Sequence, residues 1–439
     1  MRETADLVLL GARRVAPGEP EETVDAVVSG GRLVTIGPGV GEHGPAGARV
    51  IDAAGMVLSP GFIDLHTHLR EPGQGHKETI DSGTRAAAAG GFTTVVAMAN
   101  TTPVVDDVDT LRWVVERSVR AHARVLSVGA VTVDLAGREL TDFPALAAAG
   151  AVAFSDDGRN EYGAELGERA LAAAAAVGRP VLVHAQDTDT CGSGQAHPGA
   201  AAATGVTPWP CEGESEVVAR MIEAVRRSGG HLHVQHVSCE SALELVRAAR
   251  AEGLPVTAEV TPHHLTLTEQ RVLAAGGGDP LAKVNPPLRE ESDRAAVVEG
   301  LRDGVISAIA TDHAPHEMAS KSGGFSSASF GFSGLETALA VCLSLVHAGL
   351  LELARVVEAL TIGPHSILPA RVVPRPGLRV GEVADLVLFD PERPWTVDPG
   401  AMVSMGRNTP LAGQRLRGRV MLTVASGRLV HLAEEVLVA

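Results

Sequence analysis

The sequence predicts an α/β protein, a TIM-like (β/α)8 barrel with a small β-sandwich domain built from both termini. Three observations carry this. Eight apolar β-type runs alternate with Ala-rich helical stretches between about residues 57 and 375, the pattern of repeated β/α units. The two ends echo each other. Asp6-Leu-Val-Leu-Leu10 and Ser29-Gly-Gly-Arg-Leu-Val34 match Asp385-Leu-Val-Leu-Phe389 and Ser426-Gly-Arg-Leu-Val430. Finally, the residues with metal-binding or acid–base chemistry fall where the apolar runs stop, which is where a barrel gathers its active site.

In chain order, residues 1–56 read as short strands with Gly turns and form the first part of the small β-domain. Residues 57–375 form the barrel. Its strands are the runs Phe62 to His68, Thr93 to Ala99, Val125 to Val131, Ala151 to Ser155, Pro180 to His184, Leu232 to Val237, Pro255 to Val260 and Val305 to Ala310. Helical segments such as Asp81–Gly90, Glu165–Val177, Glu214–Ser228, Ser241–Glu252 and Ser292–Arg302 lie between them. Residues 376–439 return as strands and complete the small domain, so the barrel is an insertion between its halves. An open doubly wound sheet is the runner-up. No Gly-x-Gly-x-x-Gly opens a helix after the first strand, which weakens it.

Composition narrows the function. At 45% hydrophobic but only 3% aromatic residues, the core must be built from Ala, Val and Leu. A net charge of −16 argues against nucleic acid and anionic membranes, which need a basic surface. The cysteines at 191, 211, 239 and 342 form no Cys-x-x-Cys pair. So few in so long a chain fit a reducing cytoplasm. Met1 to Val15 does not read as a signal peptide, and no window approaches the roughly 18 apolar residues of a membrane span.

The stretch Gly61 to Gly73 contains His66, His68 and Arg70 at every second position. Side chains alternate along a strand, so the two imidazoles face one way and make half of a metal site. Arg70 is placed to grip a carboxylate with its fork. His184 ends the fifth run and shares parity with Leu182. In His231-Leu-His-Val-Gln-His236, parity groups His236 with Leu232 and Val234, the expected inward set, and sends His231 and His233 outward as surface residues. Asp157 and Asp312 end the fourth and eighth runs with inward parity, whereas Asp156 faces away as a cap or turn residue. Four histidines and two carboxylates (His66, His68, Asp157, His184, His236, Asp312) exceed one tetrahedral ion. They suit two metals sharing a bridging carboxylate and hydroxide. Imidazole-rich ligands favour zinc, with manganese or cobalt as alternatives.

These motifs extend into blocks: Gly91 to Pro103, Ser155-Asp-Asp-Gly158, Thr257 to His264, Lys283-Val-Asn-Pro-Pro-Leu-Arg289, Thr311-Asp-His-Ala-Pro-His316 and Phe330 to Thr337. In combination with His68-Leu-Arg-Glu-Pro-Gly73, the chain resembles the dihydroorotases of the amidohydrolase superfamily, in their bacterial type I branch. The resemblance runs nearly end to end. It implies that His66 and His68 hold one zinc ion, His184 and His236 the second, that Asp157 bridges them, and that Asp312 is both ligand and proton shuttle. Many relatives bridge with a carboxylated lysine. The only lysines here are Lys77, Lys283 and Lys321, none near the fourth run. The resemblance also implies that Arg70, Asn100 and His316 hold the substrate carboxylate, that His68 contacts substrate, and that Asn285 and the backbone at Phe330 and Gly331 meet the pyrimidine ring. Departures are Ala99 before Asn100, where Pro is usual, and Gln186 in place of an acid. The segment Thr190 to Cys211 is also divergent.

The implied reaction is the reversible cyclisation of N-carbamoyl-L-aspartate to L-dihydroorotate in pyrimidine biosynthesis. The implied partners are further copies of the chain and an aspartate transcarbamoylase. Allantoinase or dihydropyrimidinase activity is the nearest rival, and Arg70 argues against it because those substrates lack the carboxylate. A non-catalytic scaffold for the transcarbamoylase is the other. The loop from 318 to 330, small, polar and Gly-bearing, reads as a lid over the site or as a disordered surface loop.

Overall fold

The computed structural model describes residues 5–41, 44–159, 163–370 and 372–434. Both ends enter one eight-stranded sheet. From the start come β1 (Leu7–Arg14), β2 (Glu22–Ser29), β3 (Arg32–Gly37), β4 (Arg49–Asp52) and β5 (Val57–Pro60). The barrel contributes β6 (Phe62–Thr67), β7 (Phe92–Ala97), β8 (Arg124–Ser127), β9 (Val181–Val183), β10 (Leu232–Val234), β11 (Val256–Val260) and β12 (Ala308–Ile309). The last three strands, β13 (Leu386–Thr396), β14 (Arg415–Ala425) and β15 (Arg428–Leu432), complete the terminal sheet in the order β15-β14-β13-β5-β1-β2-β3, with β4 on β1.

The echo between the termini has a structural counterpart. Ser29-Gly30-Gly31-Arg32 and Ala425-Ser426-Gly427-Arg428 are two-residue hairpin turns. Their central residues have φ of 55° and 76° in the first and 50° and 74° in the second, the left-handed pair that matches strand twist. The turns pack on each other. A Cβ on Gly31 would stand 2.6 Å from the Gly427 carbonyl, and one on Gly427 equally close to that of Gly31. Leu7, Leu9, Val24, Ile51, Leu388 and Leu422 are buried together, so both ends of the chain supply one core.

The barrel closes through weak links at two places. β6-β7-β8 and β9-β10-β11-β12 are two parallel sheets. The fourth run contributes only Phe154, which bridges Gly129 on one side and Val181 on the other, and Thr67 pairs with His313 to complete the ring. The helices stand within a residue or two of expectation, at Ile80–Ala89, Ala164–Ala176, Glu212–Ser228, Glu240–Ala251 and Glu291–Arg302. Thr79 caps the first through a capping box with Ser82. Terminal sheet and barrel are joined by Phe62, whose ring lies 5.8 Å from Phe92 and 6.2 Å from Phe389. No helix among the described residues is long and apolar enough to cross a membrane.

Candidate metal centre and substrate pocket

Six side chains from five strand ends converge at the mouth of the barrel. Asp157 is their hub. Its Oδ1 lies 3.2 Å from His66 Nε2, 3.7 Å from His184 Nδ1 and 3.9 Å from His236 Nε2. Its Oδ2 is 3.5 Å from His68 Nε2. Two groups with metal-ligand spacing therefore share this carboxylate: His66, His68 and Asp157, and Asp157, His184 and His236. Asp312 Oδ1 stands 3.1 Å from His68 Nε2 and 3.6 Å from His66 Nε2. All six are buried.

The donor set fits metal ions. His66 Nε2 is buried without a hydrogen-bond partner, and it faces Asp157. Burial opposes an ionised Asp157, but His66, His68 and His184 hold its carboxyl well below the usual range. Burial, reinforced by His184 and His66, pushes His236 well below its ordinary value. Ionised carboxylate and neutral imidazole are the forms that ligate. His66 goes the other way: burial lowers it, and Asp157 and Asp312 outweigh that and lift it. A proton on Nε2 and a divalent cation are alternative ways to answer the same negative charge.

The layer behind the centre contains residues that the sequence reading did not select. Glu259 Oε1 lies 2.9 Å from His66 Nδ1, and its Oε2 lies 3.0 Å from His233 Nε2. Such a carboxylate fixes the ring and raises its basicity. Gln235 accepts from Ser155 Oγ at 3.1 Å, and its Nε2 is 3.1 Å from His66 Nδ1. The signal was available, since Glu259 is an acid inside the apolar run Val256–Val260.

His231 and His233 correct the parity argument. His233 is fully buried, and both imidazoles bond Thr257 Oγ1 at 2.9 Å. His233 and Gln235 thus face the barrel interior, toward Glu259 and His66, while Leu232 and Val234 belong to the apolar core. His236 still reaches the centre because its backbone turns left-handed, with φ of 33°. Asp312 does likewise at φ 46°, while Thr311 turns inward to Asp64, donating its N–H at 3.0 Å. Asp156 does face away. It accepts from the N–H groups of Val131 and Thr132 at 2.7 and 3.0 Å, as a turn residue.

The centre opens into a cavity of about 220 Å³, and its walls include Arg70, Asn100, Asn285, His316, Phe330 and Gly331. Arg70, at φ 63°, donates from Nε to the Pro315 carbonyl at 3.2 Å, and its Nη2 lies 3.3 Å from His316 Nε2. Burial lowers its pKa to about 10 against the pull of Asp312 and Asp157, so it remains a cation. Asn100 touches the centre itself: Oδ1 is 3.0 Å from His68 Nδ1, and Nδ2 donates to Asp157 Oδ2 at 3.1 Å. Asn285 Nδ2 donates to Gln186 Oε1 at 2.8 Å, which in turn lies 3.1 Å from His184 Nε2. Its Oδ1 is buried without a partner, as is His316 Nδ1. Gly331 adopts φ 121°, and a Cβ there would stand 2.5 Å from Ala314 Cβ. Its N–H already donates to the Lys283 carbonyl at 3.0 Å.

The loop from 318 to 330 is packed rather than loose. Lys321 is buried and donates to the Lys283 carbonyl at 3.1 Å. Lys283 Nζ donates to the Ser326 carbonyl at 2.9 Å and sits 4.6 Å from the Phe330 ring centroid. The loop thereby holds Phe330 against the cavity.

Comparison with known proteins agrees with this geometry. Residues 55–242 match the family model described as dihydro-orotase-like. The chain is 46% identical over 430 residues to the dihydroorotase of Anaeromyxobacter dehalogenans (strain 2CP-C), covering 97% of this chain and 98% of that protein. It is 41% identical over 429 residues to that of Desulforapulum autotrophicum, with the same shares covered. Among solved structures, the L-hydantoinase of Arthrobacter aurescens superposes with a TM-score of 0.85 at 25% identity, over 98% of this chain and 96% of its own. The dihydropyrimidinase of Brevibacillus agri shares the fold, with a TM-score of 0.83 at 23% identity over 98% and 95%. Near-full-length identity above 40%, on a barrel whose strand ends gather histidines around one buried aspartate, means that this chain belongs to the dihydroorotase family.

Proposed function

We propose that the protein is a dihydroorotase that carries two zinc ions and interconverts N-carbamoyl-L-aspartate and L-dihydroorotate. In this reading residues 57–375 are the catalytic unit and the two ends its support. The observation that carries it is the shared Asp157, flanked by two pairs of histidines, with Arg70 and His316 in the same cavity. His66 and His68 would hold one ion, His184 and His236 the other, with Asp157 between them and Asp312 as a further ligand. Such ions supply a lowered pKa for water and Lewis acidity toward a carbonyl oxygen.

The chain's own groups do the rest. Arg70 and His316 orient the substrate carboxylate, the Arg through its fork. Asn285 Oδ1, lacking a partner, accepts from a ring N–H. Asn100 keeps His68 and Asp157 in register. In hydrolysis Asp312 takes the proton of the attacking water at a carboxylate oxygen and returns it to the departing ring nitrogen. In biosynthesis the same proton path runs backwards and closes the ring. Holding the acid, the carbonyl and the attacking group in one small cavity supplies much of the rate. An arginine aimed at a carboxylate favours this substrate over allantoin or dihydrouracil.

The test follows the ultraviolet absorbance of L-dihydroorotate with zinc-loaded protein alone, with allantoin and dihydrouracil in matched assays. Loss of dihydroorotate only is expected, and it would also show that no transcarbamoylase is needed. The Asp312→Asn variant should lose on the order of 10²–10⁴-fold in kcat while keeping its fold. Substantial turnover by that variant with metal bound would remove the shuttle role.

A further inference from the structure

A second group of ligating side chains converges outside the catalytic pocket, around the segment from 187 to 211 that follows His184. His197 stands before the short helix Pro198–Thr204, Cys211 is the N-cap residue of Glu212–Ser228, and Asp293 lies in the first turn of Glu291–Arg302. One ligand atom from each lies within 4.8 Å of the other two. Cys211 Sγ is 3.7 Å from Asp293 Oδ2. A tetrahedral zinc with ordinary bond lengths would separate a sulfur and an oxygen ligand by about 3.5 Å.

His197 and Asp293 are fixed from behind, as metal ligands are. Glu269 Oε2 lies 3.0 Å from His197 Nδ1, which leaves Nε2 for the cluster. The same oxygen accepts the Ala200 N–H at 2.8 Å, so the carboxylate is itself anchored. Asp293 Oδ1 accepts the Glu240 N–H at 3.0 Å, which leaves Oδ2. Asp293 is buried, while His197 and Cys211 are half-buried. The neighbouring cation, Arg289, is engaged by the Trp209 carbonyl at 2.6 Å, Ser238 Oγ at 3.0 Å and Glu214 Oε2 at 3.4 Å. Its charge also acts on Asp293 and Cys211, where it favours the ionised carboxylate and thiolate. Cys211, at the head of a 17-residue helix, is where a thiolate is favoured.

We propose that His197, Cys211 and Asp293 form a structural site for a divalent, zinc-class ion that clamps the segment from 187 to 211 onto the outer helices of the barrel. Sulfur, imidazole and carboxylate together select zinc or cobalt over magnesium and calcium. The clamp bears on the pocket through Gln195, whose Oε1 accepts from Lys283 Nζ at 2.6 Å.

Cobalt(II) tests this without any activity assay. The catalytic cavity has no cysteine among its walls, so a thiolate-to-cobalt charge-transfer band in the ultraviolet reports a sulfur-bearing site alone. The fully loaded wild-type protein should show the band. Cys211→Ser and Asp293→Asn should lose it, and elemental analysis should find one ion fewer per chain. Cys239→Ser should keep it. No band at full loading would overturn the proposal, as would a band that survives in Cys211→Ser or vanishes in Cys239→Ser. If Cys211→Ser does not fold, the wild-type spectrum and Asp293→Asn decide. None of these outcomes depends on the proposed catalytic activity.

Discussion

His66 is held between two carboxylates with different duties. Asp157 faces its Nε2 from the centre, and Glu259 faces its Nδ1 from behind. Burial alone would raise Glu259, but His233 and His66 hold it down at about 2, so it stays ionised. That fixed charge sets which ring nitrogen carries the proton and which is left to ligate. Glu259→Gln keeps the shape and removes the charge. It should weaken metal retention or activity by roughly 10–100-fold, with a folded protein by circular dichroism. Metal content after dialysis against a chelator is the readout, and unchanged retention would mean that Glu259 only fills space.

At the scale of elements, strand ends and loops place the chemistry. β10 and β12 stop early, and left-handed residues beyond them, His236 and Asp312, swing their side chains into the centre. The loop from 318 to 330 depends on Lys321 in a similar way. Burial, helped by Lys283, lowers its pKa from 10.5 to about 7. Between those values the unfolded chain binds the extra proton and the folded one does not, so stability rises with pH across that window. Below about pH 7 both states are protonated, and the fold bears the full cost of a buried charge. Lys321→Met removes the titration. Wild type should therefore gain on the variant between pH 7 and pH 10 by up to a few kcal/mol, read as the difference in urea midpoints. Midpoints that move in parallel would show that Lys321 keeps its ordinary pKa in the fold.

At the scale of the molecule, the terminal sheet and the barrel are joined by apolar and polar contacts. Phe389 of β13 packs on Phe62 of β6, Thr423 Oγ1 donates to the Ala88 carbonyl at 2.7 Å, and Arg124 Nη2 bonds Asp385 Oδ2 at 3.2 Å. Phe389 is fully buried, so Phe389→Ala should cost about 3–5 kcal/mol. Because this ring comes from a strand of the terminal sheet yet sits in the barrel core, denaturant unfolding should keep one cooperative transition and shift it lower. Two separate transitions, with only one displaced, would show that the units unfold independently.

The sequence by itself determined the alternation of strands and helices, the pairing of the two ends and the identity of the residues now found at the barrel mouth. These are local properties: apolar period, turn chemistry, and His or Asp at the close of an apolar run. Parity worked for His66, His68 and Asp157. It named His236 and Asp312 for the wrong reason, because alternation holds only while the backbone stays extended, and both lie past the strand end at positive φ. The same error sent His233 outward, when it lies buried against Glu259. Glu259 behind His66, the packed loop around Lys321, and the meeting of His197, Cys211 and Asp293 were decided only by tertiary structure. Each joins residues far apart in sequence, and no local pattern specifies which buried groups will share one low-dielectric space.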